Sequence, residues 1–235
     1  MKTLTKEMQN AITPIQALEL LKEGNKRFIN NLKVNRNLLQ QANETSDGQH
    51  PFAVILSCID SRTSAELIFD QGLGDIFSVR IAGNIINEDI LGSMEFACKV
   101  AGSKIIVVLG HTKCGAVKGA CDHVEMGNLT PLLTKIQPAV YDEKTETENR
   151  NSSNAAFVEK VAAINVKRTV QAIMERSTIL KEMIEKGEIG IVGGTHDIAT
   201  GAVKFYPDTL RKWEKENAEH ALQTNQKVKQ YDLKK

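Results

Sequence analysis

Four short apolar runs most constrain how this chain can fold. They lie at 52–56, 76–80, 104–109 and 189–194, and segments with helical apolar spacing alternate with them. Runs of this length, rich in Val and Ile, are typical of buried strands. Strands that alternate with helices form right-handed βαβ units and pair in parallel. The sequence therefore predicts an α/β fold, with a central, mostly parallel β-sheet flanked by helices and a further edge strand at 202–206.

The N-terminal part carries a clear helix signal. Thr13 and Pro14 form an N-cap followed by proline at the first helical position, and apolar residues then recur at helical spacing. We interpret 14–32 as an N-terminal helical arm, because no intrachain surface is obvious for it. A chain of 235 residues can bury one full core. We therefore predict a single domain over 1–235, with the arm, a core at 48–208 and a polar C-terminal tail at 212–235.

Composition excludes several classes of function. Thirty basic and 29 acidic residues leave a net charge of +1, so we expect neither a nucleic acid nor a membrane as partner. Four cysteines are too few for a disulfide framework in a chain of this length. The first residues lack the apolar core of a signal peptide, and no run reaches the roughly 20 apolar residues of a membrane span. These features predict a cytoplasmic protein with free thiols.

Metal-ligating side chains follow two of the predicted strands. Cys58 comes after the strand at 52–56, while His111 and Cys114 come after the strand at 104–109. The carboxyl ends of neighbouring parallel strands lie at one edge of a sheet, so these three side chains should meet. Two thiolates and an imidazole are ligands that zinc prefers, and three protein ligands leave a position for water. The sequence therefore predicts one zinc ion per chain.

Two charged residues accompany the first cysteine. Asp60 lies two residues after Cys58, and Arg62 lies two residues further on. The Asp60 carboxylate can be an alternate fourth zinc ligand, or it can accept a hydrogen bond from a water on the metal. Arg62 can hold that carboxylate through two parallel hydrogen bonds. Asp60 cannot serve both roles at once, so the pattern leaves a closed and an open site as alternatives.

The pattern Cys-x-Asp-x-Arg after one strand and His-x-x-Cys after another resembles the β-class carbonic anhydrases. The resemblance covers about residues 14–208, and it implies hydration of carbon dioxide to bicarbonate by attack of a zinc-bound hydroxide. It also implies a homodimer or higher homo-oligomer in which the N-terminal arm embraces a neighbouring subunit. Asp60 and Arg62 are the implied catalytic residues. The implied substrate-binding residues are Gln49, which reaches the partner's site, Phe77, which forms an apolar wall, and Gly115.

Other interpretations remain open. The metal could be purely structural in a non-catalytic scaffold, or the same fold could hydrolyse carbon disulfide or carbonyl sulfide. Cys98 and Cys121 lie in predicted helices without a ligand pattern, and we assign both to the core. His50 is interpreted as a loop histidine that could instead line the pocket, and for His196 a place in the pocket is equally consistent with the sequence.

Overall fold

The computed structural model describes residues 3–210, whose strands form a five-stranded sheet in the order β2-β1-β3-β4-β5. The strands are β1 Ala53–Ser57, β2 Ile76–Arg80, β3 Ile105–His111, β4 Gly190–His196 and β5 Val203–Tyr206. The first four strands pair in parallel, and β5 pairs antiparallel to β4 at the edge. This architecture confirms the predicted α/β fold with a mostly parallel sheet.

Helices connect these strands and cover both faces of the sheet. They are α1 Lys6–Ala11, α2 Pro14–Ile29, α3 Leu38–Glu44, α4 Ala65–Ile68, α5 Glu88–Glu95, α6 Gly115–Cys121, α7 Leu129–Thr134, α8 Gln137–Asp142, α9 Ala155–Arg176 and α10 Thr178–Glu185. A π-helical turn extends α5, and short 3₁₀ turns follow β2 and β5. Ser177 separates α9 from α10, and its hydroxyl caps α10 by accepting from the Leu180 N–H.

Burial on both faces explains the composition of the central strands. Every residue of β1 and β3 is buried, as expected for strands that are covered on both sides. Side chains from α5, α9 and α10 pack on one face, where Val166, Ile173 and Leu180 are fully or almost fully buried. Side chains from α2 and α4 pack on the other. Packing on both faces thus holds the sheet in place, and residues at the carboxyl ends of its strands have fixed positions.

The strand register determines where the last residues of β1, β3 and β4 lie relative to one another at the carboxyl edge of the sheet. Ser57, the last residue of β1, lies opposite Leu109 in β3, which continues for two more residues to His111. His111 in turn lies opposite His196, the last residue of β4. Because β3 is longer than β1, the imidazole of His111 belongs to the strand itself, whereas Cys58 belongs to the loop that follows β1.

The expectation that the N-terminal helix lacks an intrachain surface is wrong. The capping box at Thr13 and Gln16 forms, and α2 begins at Pro14 as predicted, although it ends at Ile29. Its apolar face, which includes Leu18 and Leu21, is buried in the core against the sheet of its own chain. Apolar residues at helical spacing show which face of a helix is apolar, but they do not show which surface that face packs against.

Two local expectations also differ from the structure. The sequence Thr63-Ser64-Ala65-Glu66 predicts a capping box at the start of α4. This box does not form, because the buried Thr63 hydroxyl donates to the carbonyls of Cys58 and Asp60. The polar composition of 142–153 predicts a solvated loop. In the structure α8 ends at Asp142 and the loop follows it, but this loop is not wholly solvated. Its Glu143 carboxylate is buried and accepts hydrogen bonds from the Thr145 N–H and from Arg150. The predicted tail at 212–235 lies outside the described residues, and the division into arm, core and tail stays a prediction.

Candidate metal centre

Three buried side chains meet at the carboxyl edge of β1 and β3. Cys58, His111 and Cys114 each direct one ligand atom into a cluster in which all atoms lie within 4.8 Å of one another. The two sulfur atoms are 4.0 Å apart. Cys114 immediately precedes α6. The three ligands therefore lie in the loop after β1, at the end of β3 and at the start of α6. The structure therefore brings together the three residues predicted as metal ligands.

The histidine is oriented as a metal ligand requires. Its Nδ1 lies 2.9 Å from the carbonyl oxygen of Thr112, to which it donates when it carries the proton. Its Nε2 is buried and has no hydrogen-bond partner in the part of the chain described. A buried acceptor without a partner costs about 1–3 kcal/mol, and a metal ion would remove that cost. The donor set of two sulfurs and one imidazole nitrogen therefore fits zinc.

The three ligand groups shift one another's pKa values. The hydrogen bond between the two cysteines, whose sulfur atoms lie 4.0 Å apart, lowers the pKa of Cys58 to about 4. The hydrogen bond to Cys58, together with burial, raises the pKa of Cys114. Burial alone would lower the pKa of His111, but the Cys58 thiolate and Asp60 outweigh it, and the pKa is raised. A cation in the cluster would displace these protons.

Asp60 and Arg62 form a closed pair beside the cluster. The Asp60 carboxylate accepts from Nε of Arg62 at 2.9 Å and from Nη2 at 2.7 Å, and also from the Arg62 backbone N–H at 2.9 Å. These hydrogen bonds hold the pKa of Asp60 well below its usual range. The carboxylate is therefore ionised at neutral pH and is turned toward the guanidinium. Asp60 does not belong to the cluster of three ligands.

A carbonic anhydrase family model matches residues 53–203, the segment that contains all three ligands, Asp60 and Arg62. The chain belongs to the β-class carbonic anhydrase family. The family match begins at the first residue of β1 and ends at the first residue of β5, so it contains all four parallel strands. The resemblance that was inferred from the two strand-end motifs is confirmed.

The chain matches curated proteins named carbonic anhydrase over most of their length. Carbonic anhydrase 2 of Mycobacterium tuberculosis is 37% identical over 200 residues, which cover 80% of this chain and 90% of the relative. A carbonic anhydrase of Mycolicibacterium smegmatis is 35% identical over 199 residues, with coverage of 82% and 93%.

Solved structures of this family share the fold. The β-carbonic anhydrase CafA of Aspergillus fumigatus superposes with a TM-score of 0.61 at 27% identity, covering 72% of this chain and 81% of that one. A tetrameric β-carbonic anhydrase of Sordaria macrospora has a TM-score of 0.61 at 24% identity, covering 70% of this chain and 85% of that one. The second likeness supports the fold alone.

The loop after β1 is braced by residues that were not predicted as part of the site. Arg80, at the end of β2, donates from Nε to the Cys58 carbonyl at 3.1 Å and from Nη2 to the Asp60 carbonyl at 2.6 Å. Thr63 donates to the same two carbonyls from the other side of the loop. Arg80 ends the predicted strand at 76–80, so its place at the same edge of the sheet could have identified it. Nothing in the sequence identifies the contacts of Thr63.

The turn that carries His111 and Cys114 is also fixed by hydrogen bonds. Lys113 adopts a positive φ of 57°, and its backbone N–H donates to the Glu159 carboxylate in α9 at 2.8 Å. The Thr112 N–H donates to the carbonyl of His196, which ties the turn to β4. These contacts hold the two ligands of the turn on one side of the cluster.

The residues that the family resemblance assigns to substrate binding lie outside the ligand cluster. Gln49 is exposed in the segment that precedes β1, and the half-buried His50 follows it. Gly115 is the first residue of α6 and is also exposed, and a Cβ atom there would meet nothing within 4 Å. Their roles in binding therefore stay predictions. For Gly115, packing within one chain gives no reason for the absence of a side chain.

Phe77 and His196 occupy different surroundings. Phe77 stacks edge-on against Phe96 at a centroid distance of 6.4 Å and lines an open groove that extends to Arg80. His196 is buried beside His111, and neither of its ring nitrogens has a hydrogen-bond partner among the described residues. Burial and the neighbouring His111 lower the pKa of His196 to about 4, so its imidazole is neutral at neutral pH.

The remaining cysteines follow the expectation from the sequence. Cys98 and Cys121 are free and buried, and burial raises the pKa of each, to about 12 and about 11. Neither belongs to a cluster of possible metal ligands in the described residues. No helix within residues 3–210 is long and apolar enough to cross a membrane.

Proposed function

We propose that this protein catalyses the zinc-dependent, reversible hydration of carbon dioxide to bicarbonate and a proton. The observation that carries the proposal is the buried cluster of Cys58, His111 and Cys114 beside an ionised Asp60. Membership of the carbonic anhydrase family and the names of the mycobacterial relatives support the same reaction. The proposed cofactor is one zinc ion per chain, held by these three residues.

Bound zinc would supply a Lewis acid that makes a coordinated water a stronger acid and nucleophile near neutral pH. The chain's own contribution begins with the ligands. Cys58 and Cys114 would hold the ion as thiolates, and His111 presents Nε2 because its Nδ1 faces the Thr112 carbonyl. Three protein ligands leave one tetrahedral position for solvent or substrate. The cluster is thus suited to catalysis as well as to structure.

Asp60 is the proposed orienting group. Each carboxylate oxygen has two lone pairs, and Arg62 uses them only in part. A free lone pair can accept a hydrogen bond from the attacking water, which directs its remaining lone pair toward the carbon of carbon dioxide. Because Asp60 stays ionised, it can accept this hydrogen bond throughout the neutral range. Arg62 fixes the carboxylate and has no part in bond making.

Asp60 could also become the fourth metal ligand. That arrangement would require the carboxylate to turn away from the guanidinium and to lose the two parallel hydrogen bonds of Arg62. We propose that the arrangement described here is the open one, and that closure by Asp60 would be an inactive alternative.

We also propose that the active unit is a homodimer or a higher homo-oligomer. The support lies at the edge of the sheet, where β2 has a neighbour on one side only. Unpaired strand edges are normally covered. Large apolar side chains are exposed on segments that contact β2, namely Leu67 in α4 and Phe96, whose ring packs against Phe77. A second copy would cover them, and the exposed Gln49 could then reach the partner's cluster and bind substrate with Phe77.

The oligomer is tested by replacing Phe96, which is 54% exposed, with Glu. Burying an unpaired carboxylate at an interface is costly, so the variant should shift toward monomer in light scattering and lose activity. The matched control is Ile179→Glu, an exposed apolar residue on α10 that is 43% exposed. A fully active monomeric form of the unaltered protein would refute the proposed active unit.

The proposed reaction is tested by metal analysis and a carbon dioxide hydration assay on one sample. We expect one zinc per chain and proton release that requires the metal. Carbonyl sulfide and carbon disulfide serve as competing substrates in the same assay. Zinc without hydration activity would favour the scaffold interpretation, whereas faster hydrolysis of either sulfur compound would favour that reaction. We infer a cytoplasmic location, since a reducing compartment keeps the four free thiols available.

A further inference from the structure

A chain of two hydrogen bonds connects helix α9 with one of the sulfur ligands. The side-chain Nδ2 of Asn165 donates to the carbonyl oxygen of Gly83 at 2.8 Å. The backbone N–H of Gly83 then donates to Sγ of Cys58 at 3.4 Å. Asn165 is 3% exposed and Gly83 is also buried, so water does not compete with either bond. Asn165, which is far from the cluster in sequence, is thereby connected to it through one intervening residue, Gly83.

The conformation of that intervening segment needs external support. Gly83 has a φ of +69° and Asn84 a φ of +44°, so two consecutive residues lie in the left-handed region. A side chain at Gly83 would place its Cβ only 2.5 Å from Cδ1 of Ile136. Non-glycine residues rarely adopt the left-handed conformation, and Asn84 must be held there. Asn165 and Thr169, one turn apart on α9, donate to the carbonyls of Gly83 and Asn84.

The position of Asn165 in its helix gives no other reason for an amide. Apart from Thr169, the buried face of α9 around it is apolar, with Val161 and Val166 both fully buried in core clusters. An amide in such surroundings is costly unless it is hydrogen-bonded. Its donor reaches the Gly83 carbonyl, which lies in the segment that contacts the metal ligand.

We propose that Asn165 is a positioning residue for the metal centre, which fixes the Gly83 N–H against the sulfur of Cys58. This inference rests on the proposed zinc site. An N–H donor directed at a thiolate stabilises the charge on sulfur and reduces its donation to a metal. Asn165 therefore sets both the direction of the Cys58 ligand and the electron density that it offers. Outer contacts of this kind typically contribute ~10–100-fold to metal affinity.

The test compares two apolar replacements on the same helix. Asn165→Leu removes the donor to Gly83, and Thr169→Val removes the neighbouring donor to Asn84, which does not contact the ligand. For each variant, zinc affinity is measured by chelator competition, and the cobalt-substituted protein is examined by absorption spectroscopy. We expect Asn165→Leu to raise the zinc dissociation constant ~10-fold or more, because a Cys58 ligand that is no longer held in direction costs more affinity than its stronger donation restores. Its sulfur-to-cobalt charge-transfer band should move to lower energy, because the thiolate loses its donor. Thr169→Val should leave the band in place.

The outcomes separate this inference from the proposed function. An unaltered protein that binds no zinc would overturn both. An unaltered protein that binds zinc, together with an Asn165→Leu variant whose affinity and cobalt spectrum are unchanged, would overturn the positioning role alone. Equal spectral shifts in both variants would also overturn it, since they would indicate general loosening of α9. If the leucine variant does not fold, Asn165→Ala and Thr169→Ala, which only delete atoms, replace the pair and are judged by the same criteria.

Discussion

Replacing Asp60 with Asn changes the charge beside the metal ligands but almost none of the shape. In the structure the carboxylate accepts three hydrogen bonds from Arg62, at 2.9, 2.9 and 2.7 Å. An amide has one oxygen and one N–H₂ group, so it can keep the contacts to Oδ1 but must present a donor to Nη2. The hydrogen bond from Nη2 of Arg62 is therefore lost, and the amide N–H₂ that replaces Oδ2 is a hydrogen-bond donor.

The effect on stability should be small. The Arg62 side chain is 55% exposed and that of Asp60 is 15% exposed, so the pair is strongly screened by water. Exposed ion pairs contribute about 0.2–1 kcal/mol to the free energy of unfolding. For a chain of this size, about 1 kcal/mol corresponds to a shift of roughly 2–4 °C in Tm. We therefore expect Asp60→Asn to lower the Tm by no more than this and to keep its zinc, since Cys58, His111 and Cys114 remain.

The effect on turnover should be large. A group that orients the attacking water acts through geometry, and a misplacement of about 1 Å can cost ~10²-fold in rate. The amide lacks the charge of the carboxylate, and its N–H₂ group would oppose a water proton. We expect kcat for carbon dioxide hydration, measured by stopped-flow with a pH indicator, to fall by ~10²-fold or more. The metal content of each sample is determined alongside.

Asp208→Asn is the matched control. Asp208 forms an exposed ion pair with Lys167 at 2.6 Å, remote from the ligands in the chain, so its loss should cost similar stability without a loss of activity. Near-normal turnover of Asp60→Asn at high pH, with full zinc occupancy, would refute the orienting role of Asp60. A loss of zinc from Asp60→Asn would instead indicate that the carboxylate is a metal ligand.

Three further predictions concern the metal ligands and the core. The double variant Cys58→Ser, Cys114→Ser should lose most of its zinc in elemental analysis, because a neutral hydroxyl does not replace a thiolate; full occupancy would contradict the assigned ligands. Zinc affinity should fall between about pH 8 and about pH 6, because protons compete for Cys114 and His111, whose pKa values are raised; chelator competition at both pH values measures this, and equal affinities would contradict it. Asp70→Asn should cost about 3–5 kcal/mol in urea unfolding, because the buried carboxylate pairs with Arg36, whose charge would be left without its partner; a loss below about 1 kcal/mol, as for an exposed pair, would contradict it.

The sequence was sufficient to predict the strands and the metal ligands because both depend on local order. Apolar runs mark buried strands, and parallel pairing places their ends together whatever the details of packing. Cys58, His111 and Cys114 are therefore predictable as a cluster without knowledge of the register. The association of Asp60 with Arg62 is predictable for the same reason, since two residues of separation place the groups within reach.

Contacts between distant segments could not be predicted in this way. Helical spacing identified the apolar face of α2, but the covering of that face by its own sheet depends on the path of the chain between them. The Thr63 hydroxyl was expected to cap α4, yet its burial made the nearer carbonyls of the loop its acceptors. Asn165 was hidden in an apolar helix, and its partner Gly83 lies in a different part of the sequence. The available signal for Asn165 was that it is a polar residue within an otherwise mostly apolar helical face.

The different origins of the ligands have a consequence for the order of events during folding. Cys58 and His111 are separated by α4, β2 and α5, so they come together only when β3 has docked beside β1. Packing in the sheet offsets the entropy cost of closing this long intervening segment. Only after that packing can all three groups bind one ion. Metal capture is therefore a late event in biogenesis, which follows emergence and docking of the second motif. We expect the apoprotein to retain its sheet, and a chelator to remove the ion without unravelling the chain.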